Sequence, residues 1–304
     1  ILVQEKDQKI KKVMKLYKPK VDIRITEAEA RLLLSLDHPR VLSASGYYTQ
    51  LLIPQADEGS SVNNKSETIP ALVTEYVPNG DLLALVQKFN RLPEIIARSY
   101  FLQLLDALEY IHGQEICHLD IKPDNILIDE NYCLKLADFG AALKISKDSM
   151  VKGTAGTTTY HAPEIHANKS YSTYQADLFA LGITLFTMVS GSMPFVAAKE
   201  SDPVYSLIAE EKYDEFWDLH EEISGHSIKF SKSFRDLIES MFALDATKRL
   251  SLERIKKHPW ARSIVPSDDK LSCFIKDIMI KSKCAEEAIP TKVTHQVTGV
   301  VAAQ

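Results

Sequence analysis

The stretch that decides the fold is His118-Leu119-Asp120-Ile121-Lys122-Pro123-Asp124-Asn125-Ile126-Leu127-Ile128-Asp129, followed after a short turn by Leu134-Lys135-Leu136-Ala137-Asp138-Phe139-Gly140. The apolar runs Ile126–Ile128 and Cys133–Ala137 predict two paired strands around a turn at Asp129–Asn131. Such a hairpin places Asn125, at its start, near Asp138, at its end. An amide and a carboxylate oxygen side by side suit Mg²⁺.

These polar residues have two interpretations. As turn residues they would only cap local structure. As parts of a functional site, Asp120 lies where it can accept a proton from a hydroxyl, and Lys122 lies where it can neutralise a phosphate. One motif alone leaves the choice open, and further motifs in the right order favour the second interpretation.

The run resembles the catalytic loop and the Asp-Phe-Gly segment of eukaryotic protein kinases. The resemblance implies that Asp120 orients the substrate hydroxyl and accepts its proton, and that Lys122 stabilises the transferring charge. It also implies that Asn125 and Asp138 hold Mg²⁺, and that Asp138 contributes to ATP binding.

Bulk composition excludes several other classes of protein. The chain has 304 residues, 45% of them hydrophobic, enough for one large domain or two lobes. The net charge of -5 argues against nucleic acid as a partner. Cys117 and Cys133 lie in apolar runs, as in a reducing compartment. No transmembrane stretch or signal peptide is recognised, so we expect no membrane partner and a cytoplasmic or nuclear location.

Lysines are frequent near the start of the chain, and one of them, Lys15, lies in a sequence motif that has a functional interpretation. Val13-Met14-Lys15-Leu16 is similar to the Val-Ala-Ile-Lys strand of kinases, in which the lysine holds the α- and β-phosphates of ATP. The other lysines are expected on a solvated strand edge. These are Lys6, Lys9, Lys11, Lys12, Lys18 and Lys20.

A helix is predicted over Ile25–Leu36, ended by Asp37-His38-Pro39. It resembles helix C of kinases, whose glutamate braces the ATP-binding lysine. Glu29 is favoured as the partner of Lys15, because its spacing to Leu32 and Leu33 places it beside the buried face of the helix. Glu27 is the alternative.

The adenine site follows from a second resemblance. Val41–Tyr48 and Ala71–Val77 are predicted strands, and the polar stretch 56–68 between them a flexible insertion. Leu72-Val73-Thr74-Glu75-Tyr76-Val77 is similar to the kinase hinge. The resemblance implies that the backbone of Glu75 and Val77 binds adenine, that Thr74 lines the back of the pocket, and that Leu127 contributes to it. Asp81 is either a ribose contact or the N-cap of a helix over Leu82–Phe89.

Further motifs extend the resemblance through the second half of the chain. A helix is predicted over Pro93–His112. Ala155-Gly156-Thr157 to Ala162-Pro163-Glu164 is similar to the end of a kinase activation segment, where Thr157 would bridge Asp120 and Lys122. Lysine two residues after the aspartate is the serine/threonine-kinase pattern. The family also places Asp177 against the catalytic-loop backbone and histidine, here His118, and pairs Glu164 with Arg249.

The chain departs from the family pattern at two places. The first glycine is Gly46, so no glycine-rich loop precedes Lys15. A start at Ile1 rather than Met suggests truncation, and degeneration toward a pseudokinase is the alternative. Leu119 replaces the arginine that pairs with a phosphorylated activation segment in many kinases. We therefore expect that phosphorylation within residues 146–159 is not the main on-switch.

The last residues are expected to be an extension. Leu271, Phe274, Ile275 and Ile278 form a predicted helical stripe, with Lys276, Lys281 and Lys283 nearby. A helix packed on the domain is one interpretation, and an autoinhibitory or calmodulin-binding segment is the other. From Pro290 onward we expect disorder.

The sequence therefore predicts an α+β, two-lobed protein kinase-like fold. Residues 1–262 form the kinase domain, with a small β-rich N-lobe over 1–76 that carries helix C, and the hinge and a larger, mainly helical C-lobe over 77–262. Residues 263–304 form the extension. The overall pattern is most similar to the calcium/calmodulin-dependent group of serine/threonine kinases, with ATP and Mg²⁺ as cofactors and serine- or threonine-containing proteins as substrates. A pseudokinase scaffold and a metabolite phosphotransferase are the rival hypotheses.

Overall fold

The structure is a computed structural model that describes residues 1–4, 10–53 and 67–287. Four expectations lie outside the described residues: those for Lys6 and Lys9, for the polar insertion as far as residue 66, and for disorder from Pro290. The side chains of Lys281 and Lys283 are likewise outside the described part.

An antiparallel sheet and one helix form the N-terminal part. In chain order these elements are β1 (Leu2–Gln4), β2 (Lys11–Leu16), α1 (Ile23–Leu34), β3 (Ala44–Ile53) and β4 (Glu67–Glu75). The strands lie in the order β1-β2-β4-β3. In this order β4 pairs with both β2 and β3, which places the lysine-bearing strand β2 beside the strand that leads out of the lobe.

Helix α1 differs from its predicted bounds of 25–36 by two residues at each end. It begins earlier because Asp22 caps it, its side chain accepting a hydrogen bond from the Arg24 amide at 2.9 Å. It ends earlier because the Ser35 hydroxyl folds back onto the Leu32 carbonyl at 2.7 Å, ahead of Pro39. The buried face of the helix carries Glu29.

The two strands predicted at 41–48 and 71–77 are both displaced. Strand β3 begins at Ala44 and continues to Ile53, while Val41 makes only an isolated bridge to Leu136. Strand β4 begins at Glu67, so the last two residues of the predicted insertion belong to a strand. The reason is that the two strands form one long antiparallel pair, in which polar residues can occupy the exposed positions.

Helices dominate the rest of the chain. In order the elements are α2 (Leu82–Phe89), α3 (Glu94–Gly113), β5 (Ile116–Cys117), β6 (Ile126–Ile128), β7 (Leu134–Leu136), β8 (Leu143–Lys144), α4 (Pro163–His166), α5 (Thr173–Ser190), α6 (Tyr205–Ala209), α7 (Tyr213–Ile223), α8 (Lys232–Phe242), α9 (Leu252–Lys257) and α10 (Asp268–Glu287). Helix α3 begins and ends one residue later than predicted.

Helix α5 is the centre of the C-terminal part. Sixteen of its residues are buried, from Thr173 to Val189. A helix that is apolar on all sides must be enclosed by other elements, and α3 and α8 pack against it. Phe179 and Phe186 are fully buried in this helix. Burial of one such side chain stabilises the folded state by about 1.5–3 kcal/mol.

The two parts are joined behind the central hairpin. The Leu42 amide donates to the Leu136 carbonyl at 2.9 Å, and the Leu136 amide donates to the Arg40 carbonyl at 2.8 Å. The Tyr110 hydroxyl accepts a hydrogen bond from the Asp37 amide at 2.8 Å. These contacts fix the segment after α1 relative to β7 and α3. The two-lobed α+β fold predicted from the sequence is confirmed.

Helix α10 packs against the back of this junction. Leu271 and Ile275 are buried, but Phe274 is 43% exposed, so the contact stripe is narrower than predicted. Asp268 accepts hydrogen bonds from Arg40 and, at 2.9 Å, from the Gln103 amide. Among the described residues, no helix has both the length and the apolar character that a membrane crossing requires.

Candidate active site

The β6–β7 hairpin brings Asn125 and Asp138 to the same end. Ile126 lies opposite Leu136, and the Ala137 amide donates to the Asn125 carbonyl at 2.8 Å. The far end is closed by Asp129, whose side chain accepts hydrogen bonds from the Asn131 and Cys133 amides, each at 2.8 Å. The predicted hairpin therefore forms, because a side-chain acceptor completes the turn.

Asp120 lies at the centre of a dense polar cluster. One carboxylate oxygen accepts from the Lys122 ammonium and from the Asn125 amide, both at 2.8 Å. The other accepts from the Thr157 backbone amide at 2.7 Å. Lys122 also donates to the Thr157 hydroxyl at 2.5 Å. The structure thus brings together all four residues predicted to be catalytic.

The pKa of Asp120 is lowered by this environment. Burial alone would raise the pKa, but the hydrogen bonds from Lys122, Thr157 and Asn125 and the charge of Lys122 together outweigh it. The carboxylate is therefore ionised near neutral pH, which is the form that can accept a hydrogen bond and then a proton from a hydroxyl.

Lys15 links two carboxylates on opposite sides of the cleft. Its ammonium lies 2.7 Å from Glu29 Oε1 and 2.7 Å from Asp138 Oδ1. Glu27, the alternative partner, lies on the outer side of α1 near Arg31. Burial lowers the pKa of Lys15, but the hydrogen bonds and charges of Asp138 and Glu29 outweigh that and raise it. The lysine is a fixed positive charge at this position.

Asp138 has a left-handed backbone with a φ of 61°, and its neighbours hold it there. Phe139 is buried and packs edge-on against His118 at 4.8 Å between ring centroids. His118 Nε2 lies 2.9 Å from the Ala137 carbonyl, and burial lowers the pKa of its imidazole. The neutral histidine donates to that carbonyl, which fixes the residue before Asp138.

Asp177 is fully buried and has partners for both oxygens, though one of them differs from the expectation. It accepts from the backbone amides of His118 at 2.9 Å and Leu119 at 2.7 Å. The imidazole that contacts it belongs to His112, at 2.9 Å. The expected contact with the His118 side chain is wrong, because both ring nitrogens have other partners: Nε2 lies at the Ala137 carbonyl and Nδ1 accepts from the Asp120 amide at 3.3 Å.

The segment before Thr157 reaches Asp120 through a glycine. Gly156 has a φ of +78°, and a Cβ atom there would lie 2.0 Å from the Leu119 carbonyl oxygen. Leu119 itself has a φ of 61°. Two residues with left-handed backbone conformations thus lie next to each other. Their close approach places the Thr157 amide within hydrogen-bond distance of the Asp120 carboxylate.

The predicted pair of Glu164 and Arg249 is present and bidentate. The guanidinium nitrogens lie 2.7 and 2.6 Å from the two carboxylate oxygens of Glu164. The Arg249 side chain is only 1% exposed. Its Nε also donates to the Ala243 carbonyl at 2.8 Å, so the buried charge is compensated on several sides.

The predicted adenine-binding residues lie at the end of β4 and beside β6. Thr74 is buried. The Glu75 amide is bonded to the Ser43 carbonyl at 3.0 Å, and the Glu75 carbonyl accepts a hydrogen bond from the Thr74 hydroxyl at 3.3 Å, so only the second lone pair of that carbonyl is left for a ligand. Val77 lies two residues after the end of β4, and Leu127 in β6 bridges to Asp81. Asp81 caps α2 by accepting from the Ala84 amide at 2.8 Å, so the capping alternative describes its contact.

Two residues of this site were missed from the sequence. Tyr17 donates its hydroxyl to Glu29 Oε2 at 2.9 Å, and His112 contacts Asp177. For Tyr17 a signal existed, because alternation along a strand places residue 17 on the same face as Lys15. For His112 none existed, since its contact depends on how α3 meets α5.

Comparison with known proteins agrees with this geometry. Residues 2–261 match the family described as "Protein kinase domain". The chain is 36% identical over 207 residues to CBL-interacting protein kinase 11 of Oryza sativa subsp. japonica, covering 66% of this chain and 38% of the relative. It is 32% identical over 273 residues to 3-phosphoinositide-dependent protein kinase B of Dictyostelium discoideum, covering 86% and 27%. It is 32% identical over 231 residues to serine/threonine-protein kinase PKH2 of Saccharomyces cerevisiae, covering 72% and 19%.

The chain belongs to the eukaryotic protein kinase superfamily, because the family match spans most of its length. The superfamily prediction is confirmed. This chain spans between 19% and 38% of the length of those three relatives.

Proposed function

We propose that this chain transfers the γ-phosphoryl group of ATP to serine or threonine hydroxyls of protein substrates. One observation carries the proposal: Asp120, Lys122, Asn125 and Thr157 form a single hydrogen-bonded cluster, although they come from two separate segments of the chain. A merely structural role for Asp120 would not require a lysine aimed at the same carboxylate and at a threonine hydroxyl.

The cluster supplies the positions that phosphoryl transfer requires. Asp120 is ionised and fixed from both sides, so an incoming hydroxyl can donate to it and then transfer its proton. Lys122 is 2.8 Å from that carboxylate and can neutralise charge on the transferring group. Thr157 hydrogen-bonds to both Asp120 and Lys122 and so fixes their relative positions. Positioning is therefore the main contribution of the protein.

The nucleotide side of the cleft fits the family's requirement for ATP with a divalent cation. Lys15 provides the charge for the phosphates, braced by Glu29. The Asn125 amide nitrogen is occupied by Asp120, which leaves its side-chain oxygen as a ligand beside the Asp138 carboxylate. Oxygen ligands of this kind suit Mg²⁺, which when bound would neutralise phosphate charge. Thr74, Glu75, Val77 and Leu127 are proposed to hold the adenosine, whereas Asp81 caps α2.

Serine and threonine rather than tyrosine are proposed as acceptors. The lysine two residues after Asp120 and its contact with Thr157 support this choice, as does the similarity to the yeast serine/threonine-protein kinase PKH2. The experiment is phosphate transfer from Mg-ATP to three peptides that differ only in a serine, threonine or tyrosine acceptor. Phosphorylation of the first two, lost in Asp120→Asn, is expected. Transfer to the tyrosine peptide alone would contradict the acceptor assignment, and transfer that persists in Asp120→Asn would contradict the role of Asp120.

Membership of the calcium/calmodulin-dependent group, a calmodulin-type regulator and a cytoplasmic or nuclear location stay predictions. The structure adds a requirement to the prediction of a calmodulin-type regulator. Leu271 and Ile275 are covered by the domain, so a regulator that binds this stripe must first detach α10. Calmodulin binding to the full chain, with Leu271→Asp as the variant, tests it: no binding to either protein would remove calmodulin from the list of partners.

A further inference from the structure

The Glu29 carboxylate is buried and each of its oxygens has a different partner. Glu29 is 5% exposed. Lys15 donates to Oε1 at 2.7 Å, and the Tyr17 hydroxyl donates to Oε2 at 2.9 Å. The Tyr17 backbone amide donates to the Pro70 carbonyl at 3.1 Å, which continues the ladder beyond β2 and fixes the tyrosine beside its strand.

Without Tyr17, Oε2 would face a glycine. A Cβ atom on Gly140 would lie 3.6 Å from Oε2, so this side offers space for the carboxylate and no side-chain donor. A buried carboxylate oxygen without a donor is unfavourable, and the group would rotate or move toward solvent. Since the other oxygen of the same carboxylate orients Lys15, such a rotation would displace the lysine as well.

Tyr17 remains a donor under all physiological conditions. Burial raises the pKa of its hydroxyl, and the neighbouring Glu29 carboxylate raises it further. The Lys15 ammonium lies 5.5 Å from the centre of the Tyr17 ring, so the ring also contacts the lysine. The tyrosine thus touches both members of the ion pair.

We propose that Tyr17 is a positioning residue: its hydroxyl locks Glu29, and through it Lys15 and helix α1, in the arrangement that receives the nucleotide phosphates. This inference rests on the proposed kinase function. The hydrogen bond between Tyr17 and Glu29 would hold helix α1 close to Lys15. Leu119 offers no charge for a phosphorylated activation segment, so a phosphate there would have no partner at this residue.

The test is Tyr17→Phe, which removes one oxygen atom and keeps the ring. We expect kcat to fall by at least about tenfold, as for loss of a hydrogen bond to a charged group, with an unchanged KM for the peptide. In a Glu29→Ala background the same change should cause no further loss, because its partner is gone.

Tyr47→Phe is the matched control. Its hydroxyl lies 2.6 Å from that of Thr26 on the same helix, so this variant also removes a tyrosine hydroxyl contact with α1 but leaves Glu29 untouched. We expect its kcat to stay within about twofold of wild type. Equal losses in both variants would mean that Tyr17 only packs the helix, and would overturn the proposal.

A binding measurement separates this inference from the proposed activity. In the Asp120→Asn background, the affinity for a fluorescent, non-hydrolysable ATP analogue with Mg²⁺ reports on Lys15 without turnover. A several-fold weaker affinity for Tyr17→Phe, but not for Tyr47→Phe, supports the positioning role even if the wild type transfers no phosphate. Unchanged affinity and unchanged kcat in Tyr17→Phe would overturn it, and so would a wild type that binds no nucleotide.

Discussion

Asp120 owes its ionised state to three neighbours, and this has a consequence for pH dependence. Its folded-state pKa is depressed, so its contribution to stability is present above the unfolded pKa and is lost as pH falls through the folded pKa. In wild type, the loss of kcat/KM that protonation of Asp120 causes should lie below the pH range in which an ordinary aspartate titrates. Activity lost at higher pH must come from another group.

Lys122→Met should raise the pKa of Asp120, because it removes the nearest charge and a hydrogen bond at 2.8 Å. We expect the acid midpoint of kcat/KM to move to higher pH, in addition to a lower rate at all pH values. Lys212→Met is the control, since that lysine pairs with Glu210 on the surface. An acid midpoint equal to that of wild type would show that Lys122 does not set the pKa of Asp120.

Gly156 is the position where backbone geometry decides the site. Gly156→Ala should reduce activity by at least about tenfold and the free energy of unfolding by about 2–4 kcal/mol, because the new Cβ would lie 2.0 Å from a backbone oxygen. Gly153→Ala is the control for backbone strain alone: its φ is +112°, but apart from the neighbours in the chain no atom lies within 4 Å of the added carbon. Similar losses in both variants, measured by peptide kinetics and denaturant unfolding, would exclude the close approach as the cause.

The side chains that meet at Asp120 were predicted through the resemblance to kinases, which also supplied the bridging role of Thr157 from a distant segment of the chain. Asp120, Lys122 and Asn125 lie within one turn of the chain, so local geometry brings them together. The contacts of Asp177 were only half predictable. Its backbone partners follow from the catalytic loop, whereas His112 and His118 are both histidines near that loop, and tertiary packing decides which ring reaches the carboxylate.

At the scale of elements, the helices and the short hairpin strands were predicted more closely than the long strands β3 and β4. Helix α2 has the predicted bounds, and α3 differs by one residue at each end, because caps and an apolar period specify helices locally. Strand β3 extends five residues beyond its predicted end at Tyr48 because its partner β4 begins four residues earlier than predicted. Pairing over a long distance sets these bounds.

Helix α10 should stabilise the domain through Asp268. Asp268→Ala removes the contacts with Arg40 and Gln103, and we expect the free energy of unfolding to fall by about 1 kcal/mol. Asp269→Ala removes the same charge from the next position of the helix and should have a smaller effect. Equal stability of the two variants in urea unfolding would mean that α10 is held by Leu271 and Ile275 alone.

For the whole molecule, contacts within the chain already join the two lobes, helix α1 and the activation segment. Lys15 connects α1 to Asp138, Thr157 connects the activation segment to Asp120, and the Arg249–Glu164 pair anchors that segment to the region before α9. Each of these links is made by side chains and backbone groups of the chain itself, and Leu119 offers no charge for a phosphate on the activation segment. We therefore expect the chain to be active without phosphorylation of residues 146–159.

The most direct test is the rate of phosphate transfer from Mg-ATP to a serine peptide by phosphatase-treated protein, produced from the full natural reading frame. Mass spectrometry would establish that residues 146–159 carry no phosphate, and Asp120→Asn is the control. We predict a rate close to that of untreated protein and its loss in Asp120→Asn. Nucleotide binding without any transfer, seen as a melting temperature raised by Mg-ATP, would contradict the account and identify a pseudokinase or a form that requires activation.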